Sequence, residues 1–458
     1  MTQTAAAWPL GLLLTYYGDD FTGSTDVMEA MTAAGVPTVL FVTTPTPEML
    51  AKFPQARCVG IAGSSRGRSP EWMETELPKA FSVLAGMGAP ILHYKVCSTF
   101  DSSPAIGSIG RAIDLGTKVM PGRWSPVIVG SPRLSRYQLF GNLFAAVDGV
   151  GHRLDRHPTM SRHPVTPMGE ADLRRHLAAQ TARRIELIDM LQLRKGTAAQ
   201  RLDDLAGDDV PVVLIDVLDD ETLAAAGRLV WEQRGAGLFS ASSSGLSYAL
   251  TAHWRETGLL PKEPSLSRAD AVEAIGVVSG SCSPVTASQI AWARSHGFRT
   301  ERMQIPAALD AGRRDTEIER LTGIAVSALE QGISPVIFSA EGPDDDAVRR
   351  FGQMAGEAGL SRPDAARVVG TTLAEVMKRL LDRARLRRVV IAGGDSAGEI
   401  VSALEIQALT AVAGLTPGAP LCRIWSDHPH RDSLEIVLKG GQIGNEAFFG
   451  QVRAGSNV

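Results

Sequence analysis

One pattern recurs along this chain and restricts its fold more than any other feature. An apolar run long enough for a buried strand ends in polar or small residues, and apolar residues at helical spacing follow it. The first copy starts at Leu12, reaches the adjacent carboxylates Asp19 and Asp20, and continues into a predicted helix marked by Val27, Ala30, Met31 and Ala34. Because strands alternate with helices, the sequence predicts α/β layers built on a mostly parallel sheet.

Further apolar runs of the same kind follow in the first third of the chain. They are Thr38–Val42, Cys58–Ala62, Ile91–Val96 and Val127–Gly130, and each ends in polar residues. In an open parallel sheet, ligands bind beyond the carboxyl ends of the strands. We therefore expect these polar ends to meet at one edge of the sheet and to form a site there.

The adjacent aspartates after the first run have two interpretations. Asp20 or Thr22 could cap the following helix, where a side-chain oxygen accepts hydrogen bonds from otherwise unsatisfied N–H groups. Two neighbouring carboxylates repel each other, however, and only one of them can be the cap. The pair Asp19 and Asp20 therefore favours a functional site that activates a substrate hydroxyl and helps to hold Mg2+.

Cationic and hydroxyl side chains follow the other strands of this region. Arg66 and Lys95 supply positive charge, and the hydroxyl and carboxylate groups come from Ser98, Thr99 and Asp101. A small polyhydroxylated acid needs this mixture, because Arg can fork onto its carboxylate while its hydroxyls pair with acceptors. The alternative, that each cation is an ordinary solvated or ion-paired side chain, stays open for any one of them.

The segment from about His152 to Leu202 differs in composition from the rest of the N-terminal half. Apolar spacing predicts a helix over 171–193. No Cys lies close to the histidines of this segment, and we do not predict a metal site here. Two prolines favour an irregular lid or substrate loop, from which His157 or His163 could contact the substrate.

Three later strands end in glycine- or serine-rich turns, at Ser279–Pro284, Gly393–Gly398 and Gly440–Asn445. Glycine lets the backbone approach a ligand closely, and a following helix N-terminus offers N–H groups to a phosphate. We predict that a helix over 400–409 follows the second turn. Three such turns favour a nucleotide site, although no GxxxxGK[ST] or GxGxxG motif is present to indicate an ordinary P-loop or a Rossmann fingerprint.

The length of 458 residues exceeds what one core usually supports, so we expect two domains. The proline-containing segment 258–268 lacks sustained periodicity and is the best candidate linker. We therefore predict an N-terminal sugar-acid-binding domain over 1–257, a linker or hinge over 258–270, and a C-terminal nucleotide-binding domain over 271–458. The expected fold class is two α/β domains, with mostly parallel sheets, that face each other across a cleft.

Composition narrows the partners and the compartment. A net charge of -4 gives no reason to expect nucleic acid or an acidic membrane surface as a partner. The four cysteines form no CxxC pair, which fits a reduced intracellular setting without a zinc or disulfide framework. No secretory signal or membrane-spanning run is evident, so we expect a cytoplasmic protein.

Taken in order, these motifs resemble the four-carbon acid sugar kinase family over essentially the whole chain. The resemblance rests on DD-x-TG, SSR, YK…ST…D, SGSCS, GGDS and KGGQIG, which begin at Asp19, Ser64, Tyr94, Ser279, Gly393 and Lys439. It implies ATP-dependent, Mg2+-assisted phosphorylation of a terminal hydroxyl of a tetronate-like acid. The acid would bind in the N-terminal domain and ATP in the C-terminal domain, and the enzyme could be a homodimer.

The resemblance also implies roles for individual residues. Asp20 would be the catalytic base, Asp19 would assist it, and the acid would be held by Arg66, Lys95, Ser98, Thr99 and Asp101. The nucleotide would be lined by Ser279, Ser281, Gly393, Gly394, Asp395, Ser396, Gly440 and Gly441. The resemblance leaves the metal ligands unassigned.

One departure from the family pattern bears on the substrate. Members that act on simple tetronates usually show KxDST-x-RGN, whereas this chain has Cys97 at the usual Asp position and lacks the RGN. A branched oxo acid such as 3-oxo-isoapionate is therefore as plausible as 3-oxo-tetronate. Two other classes remain as alternatives: a non-catalytic sensor of nucleotide and sugar acid, and a sugar-acid dehydrogenase, which the missing GxGxxG disfavours.

Overall fold

A computed structural model describes residues 10–147, 149–163, 165–205, 207, 209–261, 266 and 268–455, without the side chains of Asp395 and Ser396. The chain divides into two compact units, Met1–Ser265 and Leu266–Val458. The linker expected over 258–270 stays a prediction, because residues 262–265 and 267 at its centre lie outside the described residues.

The strands of the N-terminal unit are β1 (Leu14–Gly18), β2 (Thr38–Phe41), β3 (Cys58–Ala62), β4 (Ile91–Lys95), β5 (Ser125–Val127), β6 (Arg136–Leu139), β7 (Asn142–Val147), β8 (Val150–Arg153), β9 (Ile185–Ile188), β10 (Val212–Ile215) and β11 (Leu238–Ser242). Its main sheet is parallel, with the order β11-β4-β1-β3-β2. In the register of this sheet, Gly18 at the end of β1 lies opposite Ala62 of β3 and Lys95 of β4. The carboxyl ends of these strands are therefore level, as the sequence predicted.

Two smaller sheets complete this unit. Strands β5, β10 and β9 form a parallel sheet, and β6, β7 and β8 form an antiparallel meander. In place of the strand expected at Val127–Gly130, the structure has β5 at Ser125–Val127, which lies outside the main sheet. The single helix expected over 171–193 is wrong, because Ile185–Ile188 within this range pair with β10 as a strand.

The helices of the N-terminal unit are α1 (Phe21–Ala33), α2 (Pro47–Ala51), α3 (Pro70–Gly86), α4 (Ile109–Val119), α5 (Leu173–Ala178), α6 (Met190–Arg194), α7 (Ala198–Asp204), α8 (Asp220–Glu232) and α9 (Gly245–Glu256). Short 3-10 turns occur at Ser65–Gly67, Pro132–Leu134, Leu154–Arg156 and Met160–Arg162. Helix α1 follows the first strand directly and buries Val27, Met28 and Met31. This apolar face supports the strand–turn–helix unit predicted from the sequence.

An aromatic cluster packs near the carboxyl ends of β1 and β4 in the main sheet. The rings of Tyr17 and Tyr94 are stacked, with centroids 6.0 Å apart, and Phe81 from α3 packs edge-on against both. The Tyr94 hydroxyl lies 2.8 Å from the Ser65 hydroxyl. This buried contact holds the turn that carries Arg66 on the end of the sheet.

The C-terminal unit contains β12 (Gly276–Ser279), β13 (Arg299–Arg302), β14 (Pro335–Phe338), β15 (Arg388–Ala392), β16 (Ala408–Thr416), β17 (Ala419–Trp425) and β18 (Glu435–Lys439). Within this unit the strand order is β16-β17-β18-β15-β12-β14-β13. Strands β18, β15, β12, β14 and β13 are parallel, and β17 is antiparallel to both of its neighbours. The predicted α/β class with mostly parallel sheets is confirmed.

The helices of this unit are α10 (Pro284–Ser295), α11 (Ile305–Leu309), α12 (Arg314–Glu330), α13 (Asp346–Arg349), α14 (Phe351–Glu357), α15 (Arg362–Arg383), α16 (Gly394–Ala403) and α17 (Phe448–Ala454). The helix expected over 400–409 is partly wrong, because α16 ends at Ala403 and β16 begins at Ala408. Glu405 has a positive φ of 54°, which interrupts the helical path.

Candidate active site

The ends of β1, β3 and β4 meet at one place in the N-terminal unit. The Asp19 N–H donates a 2.9 Å hydrogen bond to the Lys95 carbonyl, and the Arg66 N–H donates a 3.0 Å hydrogen bond to the Asp19 carbonyl. These backbone bonds tie the three strand ends together. The structure thereby brings Asp19, Asp20, Arg66 and Lys95 into one site, as the polar strand ends predicted.

The Arg66 guanidinium binds both predicted catalytic carboxylates. Its Nε and Nη2 donate to Asp19 at 3.0 and 2.7 Å, and its Nη1 and Nη2 donate to Asp20 at 2.7 and 2.8 Å. A guanidinium has five N–H donors, so four are directed at these two side chains. Arg66 neutralises the repulsion between the carboxylates and holds them in one geometry.

The two carboxylates differ in exposure. The Asp19 side chain is 5% exposed and the Asp20 side chain 27%. Burial raises the pKa of Asp19 to about 6; the charge of Arg66 opposes this shift and the charge of Asp20 adds to it. Asp19 is thus a deep, partly protonated carboxyl near pH 6, and Asp20 is the one that a solute can reach.

Asp20 also caps helix α1. Its Oδ1 accepts a 2.8 Å hydrogen bond from the Gly23 N–H, and Thr22 donates from its hydroxyl to Oδ2 at 3.3 Å. A Cβ atom on Gly23 would lie 2.5 Å from Asp20 Oδ1 and 3.1 Å from Lys95 Nζ, so a side chain here would displace Asp20 from its present position. Asp20 is therefore the helix cap that one interpretation of the sequence predicted, and it is ion-paired with Arg66 as well.

The remaining predicted substrate residues form a second group beside Arg66. The Thr99 hydroxyl donates to Asp101 at 2.7 Å and lies 3.0 Å from Cys97 Sγ, and Ser98 is half-buried next to them. Burial would raise the pKa of Asp101, but the Arg66 charge and hydrogen bonds from Thr99 and Cys97 outweigh it and lower that pKa. Asp101 is therefore a buried, ionised acceptor.

Lys95, His157 and His163 form hydrogen bonds with backbone groups close to them in the chain. Lys95 Nζ donates to the Val96 carbonyl at 2.9 Å and lies 3.7 Å from Asp26 Oδ2. His157 Nδ1 accepts from the N–H groups of Thr159 and Met160, and His163 Nδ1 accepts from that of Thr166. The histidines thus shape their own loop through Nδ1, which leaves Nε2 for other contacts.

In the C-terminal unit, the three predicted turns are neighbours. The Gly280 N–H donates to the Ala392 carbonyl, and the Gly393 N–H donates to the Lys439 carbonyl, both at 3.0 Å. These bonds join the ends of β12, β15 and β18. They bring together Ser279, Ser281, Gly393, Gly394, Gly440 and Gly441, whereas the side chains of Asp395 and Ser396 lie outside the described residues.

Close backbone approach explains one of these glycines. A Cβ atom on Gly441 would lie 2.8 Å from Ser281 Oγ and 2.9 Å from Ser283 Cβ. The Thr286 hydroxyl of α10 also donates to the Gly441 carbonyl at 3.0 Å. The third turn is therefore seated directly on the first, at the N-terminus of α10.

Lys439, the residue before Gly440, was not predicted as a site residue. Its side chain is fully buried, and Nζ donates a 3.0 Å hydrogen bond to the Thr286 hydroxyl. Burial lowers the pKa of Lys439 to about 8. Among the side chains that the structure describes, no carboxylate lies within 4.0 Å of this ammonium. The signal in the sequence was a lysine at the end of a strand immediately before two glycines.

A cavity of about 460 Å³ opens beside the first turn of this site. The turns after β12 and β14 and the start of α15 enclose it, and most of the lining is apolar. Its lining includes Gly280, Cys282, Ile305, Ser339, Ala340, Val348, Phe351, Arg362, Ala366, Arg367, Val369 and Glu399. Sequence reasoning missed this cavity because its walls come from segments far apart in the chain.

Within the described ranges, no group of three or more His, Cys, Asp and Glu side chains is arranged to hold a metal ion. In the same ranges, no helix has the length and the apolar character needed to cross a bilayer.

Comparison with known proteins places the two units in one class. Residues 14–250 match a family model described as a sugar-binding N-terminal domain, and residues 277–449 match one described as a nucleotide-binding C-terminal domain. The chain is thus a two-part protein that pairs sugar binding with nucleotide binding, and the nucleotide-binding match supports ATP use.

Curated relatives identify the family. The chain is 69% identical over 451 residues to a 3-oxo-isoapionate kinase of Paraburkholderia graminis, an alignment that covers 98% of this chain and 96% of the relative. It is 30% identical to a 3-oxo-tetronate kinase of Pseudomonas savastanoi pv. phaseolicola, covering 95% of this chain and 96% of the relative. The chain belongs to the four-carbon acid sugar kinase family. The prediction of a sugar-acid kinase is confirmed.

Two solved structures share the fold. A Salmonella typhimurium LT2 protein with the provisional description tRNA synthase has a TM-score of 0.79 at 24% identity, covering 96% of this chain and 98% of its own. A Haemophilus influenzae protein has a TM-score of 0.74 at 21% identity, covering 96% and 99%. At this identity the likeness concerns the fold alone.

Proposed function

We propose that this kinase phosphorylates the terminal hydroxyl of a branched oxo acid of the 3-oxo-isoapionate type, using ATP. The observation that carries the substrate assignment is the 69% identity, over nearly the whole chain, to a protein named for that activity. The relatives named for 3-oxo-tetronate share only about 30% or less. Cys97, at the position where simple tetronate kinases usually have Asp, supports the same choice.

Asp20 is the proposed catalytic base. As the substrate oxygen forms a bond to the γ-phosphorus, the bond from that phosphorus to the bridging oxygen of ADP breaks, and the hydroxyl proton moves to Asp20. The greater exposure of Asp20 supports this role over Asp19. Asp19 assists by holding Arg66, which in turn fixes the orientation of Asp20.

The acid is proposed to lie against the group beside these carboxylates. Lys95 and Arg66 contribute positive charge, and Thr99, Ser98 and Asp101 pair with the substrate hydroxyls. The buried hydrogen bond from Thr99 to Asp101 supports a fixed acceptor in this group. A fixed acceptor discriminates among polyhydroxylated acids because a missing hydroxyl leaves it unpaired.

The nucleotide is proposed to bind at the three joined turns of the C-terminal unit. In this proposal the phosphates are surrounded by the turn residues Ser279, Ser281, Gly393, Gly394, Asp395, Ser396, Gly440 and Gly441. Lys439 places a buried positive charge beneath them, and the apolar cavity receives the nucleoside. The contact of Gly441 with Ser281 supports this arrangement, because it joins two of the turns.

Mg2+ belongs to the proposal, although the described side chains do not form a ready site for it. Asp19 and Asp20 are the carboxylates at the expected position, and both are bonded to Arg66. Mg2+ commonly keeps phosphate oxygens and water among its ligands. We therefore propose that Mg2+ would be supplied with ATP, where it would neutralise phosphate charge. A cytoplasmic location and a homodimer stay predictions.

The test is ADP formation with a panel of 3-oxo-isoapionate, 3-oxo-tetronate and the corresponding reduced acids. The proposal expects acid-dependent ADP release with the largest kcat/KM for 3-oxo-isoapionate. A preference for 3-oxo-tetronate would contradict the substrate assignment, and acid binding without ADP release would favour the sensor alternative. Acid-dependent change in nicotinamide absorbance would favour the dehydrogenase.

A further inference from the structure

The guanidinium of Arg66 is occupied by the two aspartates, and Lys95 Nζ is bonded to the Val96 carbonyl and lies 3.7 Å from Asp26, so a further cation would serve the carboxylate of the sugar acid. We propose that Arg136 binds this carboxylate through its Nε and Nη2 edge. This inference rests on the proposed function, because it takes a sugar acid as the ligand of the N-terminal unit. Neither the sequence motifs nor the resemblance assigned a role to Arg136.

The backbone around Arg136 fixes the direction of its side chain. Arg136 opens strand β6 and exchanges two backbone hydrogen bonds with Ser131, at 2.8 and 3.1 Å. Its Nη1 donates to the carbonyls of Leu134 and Ser135, at 3.0 and 3.2 Å. One terminal nitrogen is thus held by the turn that the same chain segment forms.

The other edge of this guanidinium is available for a ligand. Within the described residues, the buried Nε atom has no hydrogen-bond partner, and no carboxylate lies within 4.0 Å of Arg136. The Nε and Nη2 atoms form the edge that grips a carboxylate with two parallel hydrogen bonds. A guanidinium with a buried Nε atom and no anion of its own is unfavourable, unless the ligand supplies that anion.

Backbone hydrogen bonds place the segment that leads into Ser131 at the strand edge of the predicted substrate residues, because the Val96 N–H donates to the Ser242 carbonyl at 2.9 Å and the Ser243 N–H donates to the Ile128 carbonyl at 3.0 Å. Burial lowers the pKa of Arg136, and the neighbouring Cys97 partly opposes the shift. Cys97 also interacts with Arg66 and with Asp101. Cys97, which distinguishes this chain from simple tetronate kinases, is therefore close to the guanidiniums of Arg136 and Arg66. Only Arg66 is already paired with aspartates.

Two further buried polar groups accompany Arg136. Ser131 is fully buried, and as the antiparallel partner of Arg136 its side chain leaves the same face of the strand pair. His157 is 4% exposed, and its pKa is lowered by burial and then by Arg136 and His152. Among the described residues, Ser131 Oγ and His157 Nε2 have no hydrogen-bond partner. Hydroxyl and oxo groups of the acid would satisfy them.

The experiment measures binding of 3-oxo-isoapionate and of its neutral carboxamide by calorimetry, with the full chain and without ATP. R136M should weaken binding of the acid by about tenfold or more and leave the carboxamide unchanged, because the amide carries no charge to lose. R136K should fall between the wild type and R136M, since it keeps the charge but not the fork. R153M is the matched control in the same meander, where Arg153 is bonded to Asp155.

A R136M protein that binds the acid like the wild type would overturn the inference. Equal loss of acid and carboxamide, or an equal loss in R153M, would also overturn it, because the effect would then be structural. If R136M does not fold, R136K takes its place in this test. If Arg136 clamps the carboxylate, R136K should discriminate less between the acid and the carboxamide than the wild type does. A wild-type protein that binds 3-oxo-isoapionate through Arg136 but forms no ADP with it would contradict the proposed phosphorylation of this acid alone.

Discussion

Arg66 donates two hydrogen bonds to Asp19, and the same guanidinium donates two more to Asp20. In R66M, Asp19 would be left buried without its cation, next to a second carboxylate. We expect a loss of about 2 kcal/mol in the free energy of unfolding, below the usual cost of a fully buried pair because Arg66 is partly exposed. We also expect a fall in kcat.

Urea unfolding near neutral pH checks this stability change. The control is K79M, which removes the exposed pair of Lys79 with Glu76 and should cost at most about 0.5 kcal/mol. Equal stabilities of R66M and K79M would show that Arg66 does not hold the carboxylate pair.

The pH dependence of stability should reveal Asp19. Its folded-state pKa of about 6 is above the ordinary value of 3.8, so the folded protein binds more protons than the unfolded one between these values. Stability contributed by protonated Asp19 is therefore present below about pH 4 and lost as the pH rises through about 6.

Comparison with D19N isolates this contribution. The difference in unfolding free energy, wild type minus D19N, should fall from about pH 4 to about pH 6 and level off above about pH 7. Urea titrations across this range measure it. A difference that rises with pH would mean that the Asp19 pKa is lowered rather than raised.

Removing the charge of Lys439 should separate stability from nucleotide binding. K439M deletes a buried cation that has no described counter-charge, so the unliganded protein should be as stable as the wild type or more stable. Affinity for ATP and ADP should fall by about tenfold, and affinity for AMP much less, because AMP lacks the distal phosphates. Calorimetry with the three nucleotides and thermal unfolding measure both effects.

T286S is the matched control, since it keeps the hydroxyl that accepts the Lys439 hydrogen bond. It should bind ATP nearly as the wild type does. If K439M lowers the unfolding temperature and reduces affinity for all three nucleotides equally, Lys439 is a structural residue.

Filling the cavity beside Cys282 should block the nucleoside. A366W places a large ring in the lining of the cavity and should raise the KM for ATP by about tenfold or more. T371W adds the same ring to an exposed position of α15 and should leave KM unchanged. Steady-state kinetics at saturating acid compares them. An A366W enzyme with the wild-type KM for ATP would exclude this cavity as the nucleoside pocket.

Local patterns in the sequence predicted most of the fold. The first strand, its polar turn and helix α1 could be read because each signal lies within a few residues, and the three glycine and serine turns were recognisable for the same reason. The family match confirmed the class that these motifs indicated. Ile185–Ile188 was misread as helix because a short apolar run does not reveal whether a neighbouring strand pairs with it.

The sequence predicted which residues form the candidate site better than it predicted the contacts between them. The polar strand ends predicted that Asp19, Asp20 and Arg66 lie together. Only the structure shows that the Arg66 guanidinium is hydrogen-bonded to both aspartates. Lys439 and Arg136 could not be recognised as site residues from the sequence. A single cation is recognised by its buried atoms and by the absence of a described counter-charge. Those properties depend on segments far away in the chain.

The central claim is tested most directly by the kcat of D20N for acid-dependent ADP formation, measured with calorimetric binding of the same acid. Asn can still cap helix α1, so the fold should be preserved. We predict that D20N loses kcat by about 100-fold or more and keeps its affinity for the acid. A D20N enzyme that retains the wild-type kcat would contradict the account, because Asp20 would then not accept the proton of the substrate.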